Sequence, residues 1–218
     1  MYKFDYVTKE EYKNVKDELI RLINLVQDEV RDYFTFQFKF IGSSSRNMIT
    51  YDKTTNVGYD FDVDIIINDE DEEFTAEEIK KLLVKALQKY MCGYNYNKIE
   101  DSKRVITIKK VDRFRCCILY SCDFAVVYNY VDHKGNKRQQ FIFNNKRDNV
   151  YSWQEQPRGF YKLYKKEKWL KKSQRLWQEV RDCYLDKKNN NTNPDKKSRS
   201  LYAEAVNEIY DYYKGPRI

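Results

Sequence analysis

At 218 residues the chain can hold one large domain, or a domain with a helical annex. Its 41% hydrophobic and 34% charged residues are ordinary for a soluble protein, and no apolar run approaches a membrane span. One histidine and five cysteines without a C-x-x-C pair argue against a structural zinc site and against histidine-based acid–base chemistry.

The polar start from Met1 to Glu11 carries no signal-peptide pattern, so a cytoplasmic location is expected, with Cys116 to Cys122 as buried, reduced thiols. Thr8-Lys9-Glu10-Glu11 is a capping box, and Val15, Leu19, Leu22, Ile23, Val26 and Val30 recur at helical spacing, which predicts a helix over 9–31. Phe34, Phe36, Phe38 and Phe40 alternate with polar residues as in a strand that leads into Gly42-Ser43. A short helix is expected over 43–48. Its first N–H groups, its dipole and the Ser43 hydroxyl suit a phosphate. Residues 52–58 read as a loop and 69–73 as an acidic turn. Thr75-Ala76-Glu77-Glu78 is a second capping box before a helix that Gly93 is expected to end. Val105 to Ile108 and Phe114 to Tyr130 read as strands, and His133 to Lys137 as a hairpin turn. From about residue 150 the pattern becomes helical, with helices near 160–171, 173–186 and, capped by Ser198 or Ser200, to Tyr213.

Between these elements lies the strand Tyr59 to Asn68. Asp60, Asp62 and Asp64 occupy alternate positions, so they share one face while Phe61, Val63 and Ile65 share the other. Like charges this close resist full ionisation unless a cation neutralises them, and an all-oxygen set suits Mg2+ held by carboxylates and substrate phosphates. Asp123, alone in an apolar strand, needs a partner and is the candidate for a further metal-facing carboxylate. Charge is unevenly spread: residues 60–78 hold ten Asp or Glu and no Lys or Arg, whereas residues 134–188 hold 16 Lys or Arg against 6 Asp or Glu. An acidic strand facing a basic segment suits a polyanionic substrate.

Ile41-Gly42-Ser43, a spacer, Asp-x-Asp on the next strand and a lone Asp on a later one resemble the DNA polymerase beta-like nucleotidyltransferase superfamily. Gly42 to Met48, Trp153 to Pro157 and Ser198 to Leu201 also look like a group of small stand-alone bacterial and phage nucleotidyltransferases. The spacer is longer than usual for the superfamily. The resemblance implies an α+β fold, a mixed β-sheet flanked by helices, with a catalytic core over 1–150 and a helical part over 151–218 that closes the nucleotide cleft. It implies Mg2+, with Mn2+ as substitute, held by Asp62, Asp123 and either Asp60 or Asp64. Ile65-Ile66-Ile67 favours Asp62/Asp64 by the superfamily pattern, and the smaller group favours Asp60/Asp62. Gly42 and Ser43 are expected to hold phosphates, with Arg46, Lys162, Lys165 or Lys166 as further cations and Tyr161 or Tyr164 as stacking residues. The expected activity moves a nucleoside monophosphate from an NTP, ATP favoured, to an acceptor hydroxyl and releases pyrophosphate. An RNA end is slightly favoured over a protein, a small molecule or another nucleotide. A non-catalytic nucleotide- or RNA-binding module of the same fold is the alternative.

Overall fold

The computed structural model describes residues 3–52, 54, 57–68 and 73–215. Most of the expected acidic turn, at 69–72, and part of the expected loop, at 53, 55 and 56, lie outside them. In chain order the elements are β1 (Phe4–Tyr6), α1 (Lys9–Val30), β2 (Thr35–Ile41), α2 (Gly42–Ser45), β3 (Thr50–Asp52), β4 (Val57–Asn68) and α3 (Ala76–Tyr90). A 3-10 turn (Met91–Tyr94) precedes β5 (Lys98–Asp101), β6 (Val105–Asp112), β7 (Cys117–Val131), β8 (Lys137–Asn145), β9 (Val150–Glu155), α4 (Arg158–Leu170), α5 (Gln174–Asn189) and α6 (Ser198–Lys214). The chain divides into two compact units. A sheet unit comprises residues 6–51 and 56–156, and a helical unit comprises 1–5, 52–55 and 157–218.

In the sheet unit the strands run in the order β2-β4-β7-β6-β5, with β8 on the distal half of β7 and β9 on β8. β4 and β7 are parallel, and the other pairings within this sheet are antiparallel. One face carries Phe36, Phe61, Val63, Ile65, Ile106, Ile108, Phe124 and Val126, which form the core with Leu19, Leu22, Ile23 and Val26 of α1 and Ile79, Leu83 and Leu87 of α3. Both helices begin at reciprocal capping boxes, Thr8 with Glu11 and Thr75 with Glu78. The other sheet face carries Asp60, Asp62, Asp64 and Asp123 at one end and the buried Val127 and Phe141 further along.

Several local expectations are corrected. α3 ends at Tyr90, and the 3-10 turn runs through Gly93 to Asn95, which takes the left-handed conformation at φ 66°. Phe114 lies in a turn, not a strand, and is 97% exposed, because the Asp112 carboxylate accepts the N–H groups of Phe114 and Arg115, both at 3.0 Å. Cys116 is exposed and Cys117 half-buried, so Cys122 alone of these thiols is buried. Val150–Glu155 is a strand, not the start of a helix. α6 starts at Ser198 with Lys197 as its N-cap residue, and neither serine caps it through a side chain.

One buried ion pair ties α3 to the sheet. Lys80, 1% exposed, donates to the Ser102 carbonyl at 2.8 Å and pairs with Asp101 at 2.7 Å. Tyr151 and Asn144 also donate to that carboxylate, at 2.8 and 3.2 Å. Burial pushes the Lys80 ammonium below its ordinary value, and the Asp101 carboxylate pulls it back. Removing one partner of a buried pair strands the other. Lys80→Met is expected to cost about 3 kcal/mol in urea denaturation, the low end for such pairs because Asp101 keeps two donors. A loss below about 1 kcal/mol, the range of exposed pairs, would refute that role.

The helical unit stands on its own contacts. Glu167, 9% exposed, accepts from Tyr202 at 2.7 Å and Lys171 at 2.6 Å. Trp169 packs edge-on against Tyr210, and Tyr184 against Tyr202. Asn189 clasps the Phe4 backbone, accepting from its N–H at 2.7 Å and donating to its carbonyl at 3.1 Å.

Candidate active site

The alternation of β4 puts Phe61 and Val63 in the core with no exposure and turns Asp60, Asp62 and Asp64 to the opposite face. Register then decides what each carboxylate meets. Asp62 stands level with Ile41 on β2 and with Asp123 on β7. Asp60 stands level with Ser121, and Asp64 with Lys39 and Ala125. Partners in register project to the same face, so Asp62 and Asp123 emerge side by side from strands about 4.8 Å apart.

The chain leaves β2 through Gly42, whose φ is +61°. A methyl group at this position would overlap the Asp62 carboxylate, with Asp62 Cγ only 2.7 Å away. Glycine therefore serves twice: it takes a left-handed conformation and lets the turn lie against Asp62. The following helix is a single turn. The Ser44 and Ser45 hydroxyls close it by donating to the carbonyls of Ile41 and Gly42, each at 3.0 Å. The Ser43 hydroxyl engages none of the described residues. Four residues sum to little macrodipole, so this turn offers N–H groups and a hydroxyl, not the dipole expected from sequence. Because β2 and β4 are antiparallel, the chain beyond Ile41 runs past Asp62 toward Asp60 and away from Asp64.

Hydroxyls on the far side of the acids complete the arrangement. Thr107 of β6, 7% exposed and level with Asp123, donates to Asp123 Oδ1 at 2.6 Å. Ser121, also 7% exposed, donates to Asp60 Oδ1. Burial lifts the Asp123 carboxyl above its ordinary range, while the Thr107 hydroxyl and the charge of Lys109 draw it back. Lys109 itself is held by Glu100 at 2.7 Å. The buried Cys122 thiol is pushed well up, first by burial and then by Asp123, Asp62 and Asp60 in that order. Asp64 is 8% exposed and receives the Gln139 amide at 3.5 Å.

Thus Gly42, Ser43, Asp60, Asp62 and Asp123 come together at one end of the open face, and Asp64 lies one rung further along it. Arg46 follows α2 and donates its backbone N–H to the Ser43 carbonyl at 3.2 Å. Lys162 and Lys165 belong to the helical unit, exposed on α4, and Lys166 beside them is tied to Asp211 at 2.9 Å. Tyr164 is exposed and Tyr161 packs edge-on against Phe160. Thr107 and Ser121 were not anticipated. The alternation of Val105 to Lys109, with Ile106 and Ile108 inward, already placed Thr107 on the polar face.

Among the described residues no three carboxylate, imidazole or thiol side chains converge closely enough to hold an ion as they stand. The donor chemistry still fits a hard divalent cation: the available side chains are carboxylates, His133 is exposed in a turn, and Cys122 is buried in the core. No described helix is long and apolar enough to cross a membrane.

The mixed sheet flanked by helices matches the polymerase beta-like fold. Solved structures share this fold. The chain is similar to the STING-associated CdnE c-di-GMP synthase of Capnocytophaga granulosa, with a TM-score of 0.58 at 18% identity over 98% of this chain and 64% of that one. It is also similar to the CdnE cyclic dinucleotide synthase of Elizabethkingia meningoseptica solved with GTP and Apcpp, at TM-score 0.54 and 12% identity over 93% of this chain and 71% of that one. The Vibrio cholerae dinucleotide cyclase DncV, solved with GTP, matches at TM-score 0.54 and 15% identity over 97% of this chain and 56% of that one. The chain thus spans less than two thirds of the first and third of these proteins. No protein-family model and no curated protein matches the sequence.

Proposed function

We propose that this protein is a metal-dependent nucleotidyltransferase that moves a nucleoside monophosphate from an NTP to the hydroxyl of a second nucleotide. The observation that carries this reading is the in-register pair Asp62 and Asp123 beside the Gly42 turn. Asp60, Asp62 and Asp123 would hold Mg2+, or Mn2+ in its place. The sharing of one end of the face by Asp60, Asp62 and the turn favours Asp60/Asp62 over Asp62/Asp64. When bound, the cation supplies charge neutralisation for the triphosphate and a lowered pKa for the acceptor hydroxyl. The chain's own part is positioning. Gly42 admits the phosphates close to Asp62, Ser43 donates its hydroxyl to a β- or γ-phosphate oxygen, and the rigid sheet fixes the angle between the two acidic strands. The nucleotide acceptor takes the place of the RNA end slightly favoured from sequence. Its support is the likeness to CdnE and DncV, whose names state cyclic dinucleotide synthesis.

The test is thermal melting with ATP or GTP, with and without Mg2+, followed by chromatography of products from α-labelled NTP. Ligand at about 100 times its Kd is expected to raise Tm by about 5–10 °C, only with the metal, and to yield pyrophosphate with a joined dinucleotide. A shift indifferent to metal and retained in Asp62→Ala would mean a binding module instead.

A further inference from the structure

We propose that Thr107 is a positioning residue that leaves Asp123 one oxygen for a cation and so tunes the site to Mg2+ and Mn2+ against Ca2+. The inference rests on the reading above for the presence of a cation, and adds the device that selects it. Thr107 Oγ1 lies 2.6 Å from Asp123 Oδ1, the short distance of a hydrogen bond to an ionised acceptor. The residue is 7% exposed, so little water competes for that contact. Its β-branched side chain is stiff about χ1, and β6 holds it level with Asp123. Asp123 Oδ1 therefore already accepts one bond that fixes the rotation of the carboxylate, and Oδ2 makes no bond to the described residues. Lys109, two positions further along the same face, is held by Glu100 at 2.7 Å and does not close on Asp123 in place of an ion. Ser121 gives Asp60 Oδ1 the same kind of donor one strand nearer the turn.

This arrangement discriminates between cations by denticity. Ca2+ takes six to eight oxygens and readily draws both oxygens of one carboxylate, whereas Mg2+ requires an octahedron of single oxygens, with waters and phosphates completing it. A carboxylate whose second oxygen is engaged suits the octahedron. A bidentate grip by Ca2+ has to share Oδ1 with the Thr107 hydroxyl and turn the carboxylate away from the orientation that this bond fixes.

The experiment follows free Mn2+ by its paramagnetic resonance signal in metal-free protein with a non-hydrolysable ATP analogue, with Ca2+ as competitor. Wild type is expected to hold Mn2+ and release it only to a large excess of Ca2+. In Thr107→Val the Ca2+ required should fall at least about ten-fold, the lower end for outer-sphere metal partners. Thr107→Ser, which restores the hydroxyl, should recover the wild-type ratio. Thr107→Ala replaces the valine variant should that one melt early. An unchanged Mn2+-to-Ca2+ ratio in a folded valine or alanine variant overturns the role of Thr107 alone. Wild-type protein that binds neither ion overturns the nucleotidyltransferase reading with it.

Discussion

Asp62→Asn is expected to lower metal-dependent nucleotidyl transfer by about 10³-fold or more while leaving the fold intact. Asparagine keeps the size and one acceptor oxygen, so the packing against Gly42 survives. It removes the charge at the one position that faces both the turn and Asp123. The sign of the accompanying stability change is the sharper test. Without metal, Asp60, Asp62 and Asp123 repel one another, so neutralising the middle one should leave Tm unchanged or raise it. With Mg2+ and NTP the wild type should gain several degrees and the variant almost none. A variant that melts well below wild type without ligand would recast Asp62 as a structural residue. One that keeps full turnover would remove it from the chemistry.

Gly42→Ala should carry the next largest effect, from two independent costs. A non-glycine residue at φ +61° is disfavoured by about 1–2 kcal/mol. The added methyl also overlaps the Asp62 carboxylate and must push it aside. A displacement of about 1 Å of a reacting group can cost 10²-fold, so turnover should fall by about that factor while stability falls by about 2 kcal/mol. Gly135→Ala separates the two costs. Gly135 has φ +74° and nothing within 4 Å of a built methyl, so its variant should show the stability loss without the activity loss. Equal activity losses in both would mean that backbone strain, not contact with Asp62, explains the glycine.

Much of this arrangement was legible because it is local. Capping boxes and helical spacing placed α1 and α3, and alternation placed the three aspartates on one face. Asp123 stood out as a lone charge in an apolar strand. Choosing between Asp60/Asp62 and Asp62/Asp64 was beyond the sequence, because a period of two gives all three the same face. The proposed choice rests on the level of β2 and its turn, a long-range pairing that no local pattern records. β5 and β9 escaped notice for a related reason. Lys98–Asp101 is short and polar and Val150–Glu155 is short, and their strand character comes from the neighbours that pair with them. Phe114 misled in the opposite direction, since an apolar letter within an apolar run was held in a turn by Asp112. Lys80 reads as one more solvated lysine until Asp101 is seen across from it.

The parallel pairing of β4 with β7 also bears on how the molecule assembles. Asp62 and Asp123 meet only after roughly 60 residues of intervening chain have been looped back, at a closure entropy of several kcal/mol. Contacts of such long range form slowly, so nascent or partly collapsed chains lack the Asp62 and Asp123 pair. On the proposed function, divalent ions with nucleotide are expected to recognise the finished sheet alone, slow its opening, and protect the amides of β4 and β7 from hydrogen exchange ahead of those at its edges.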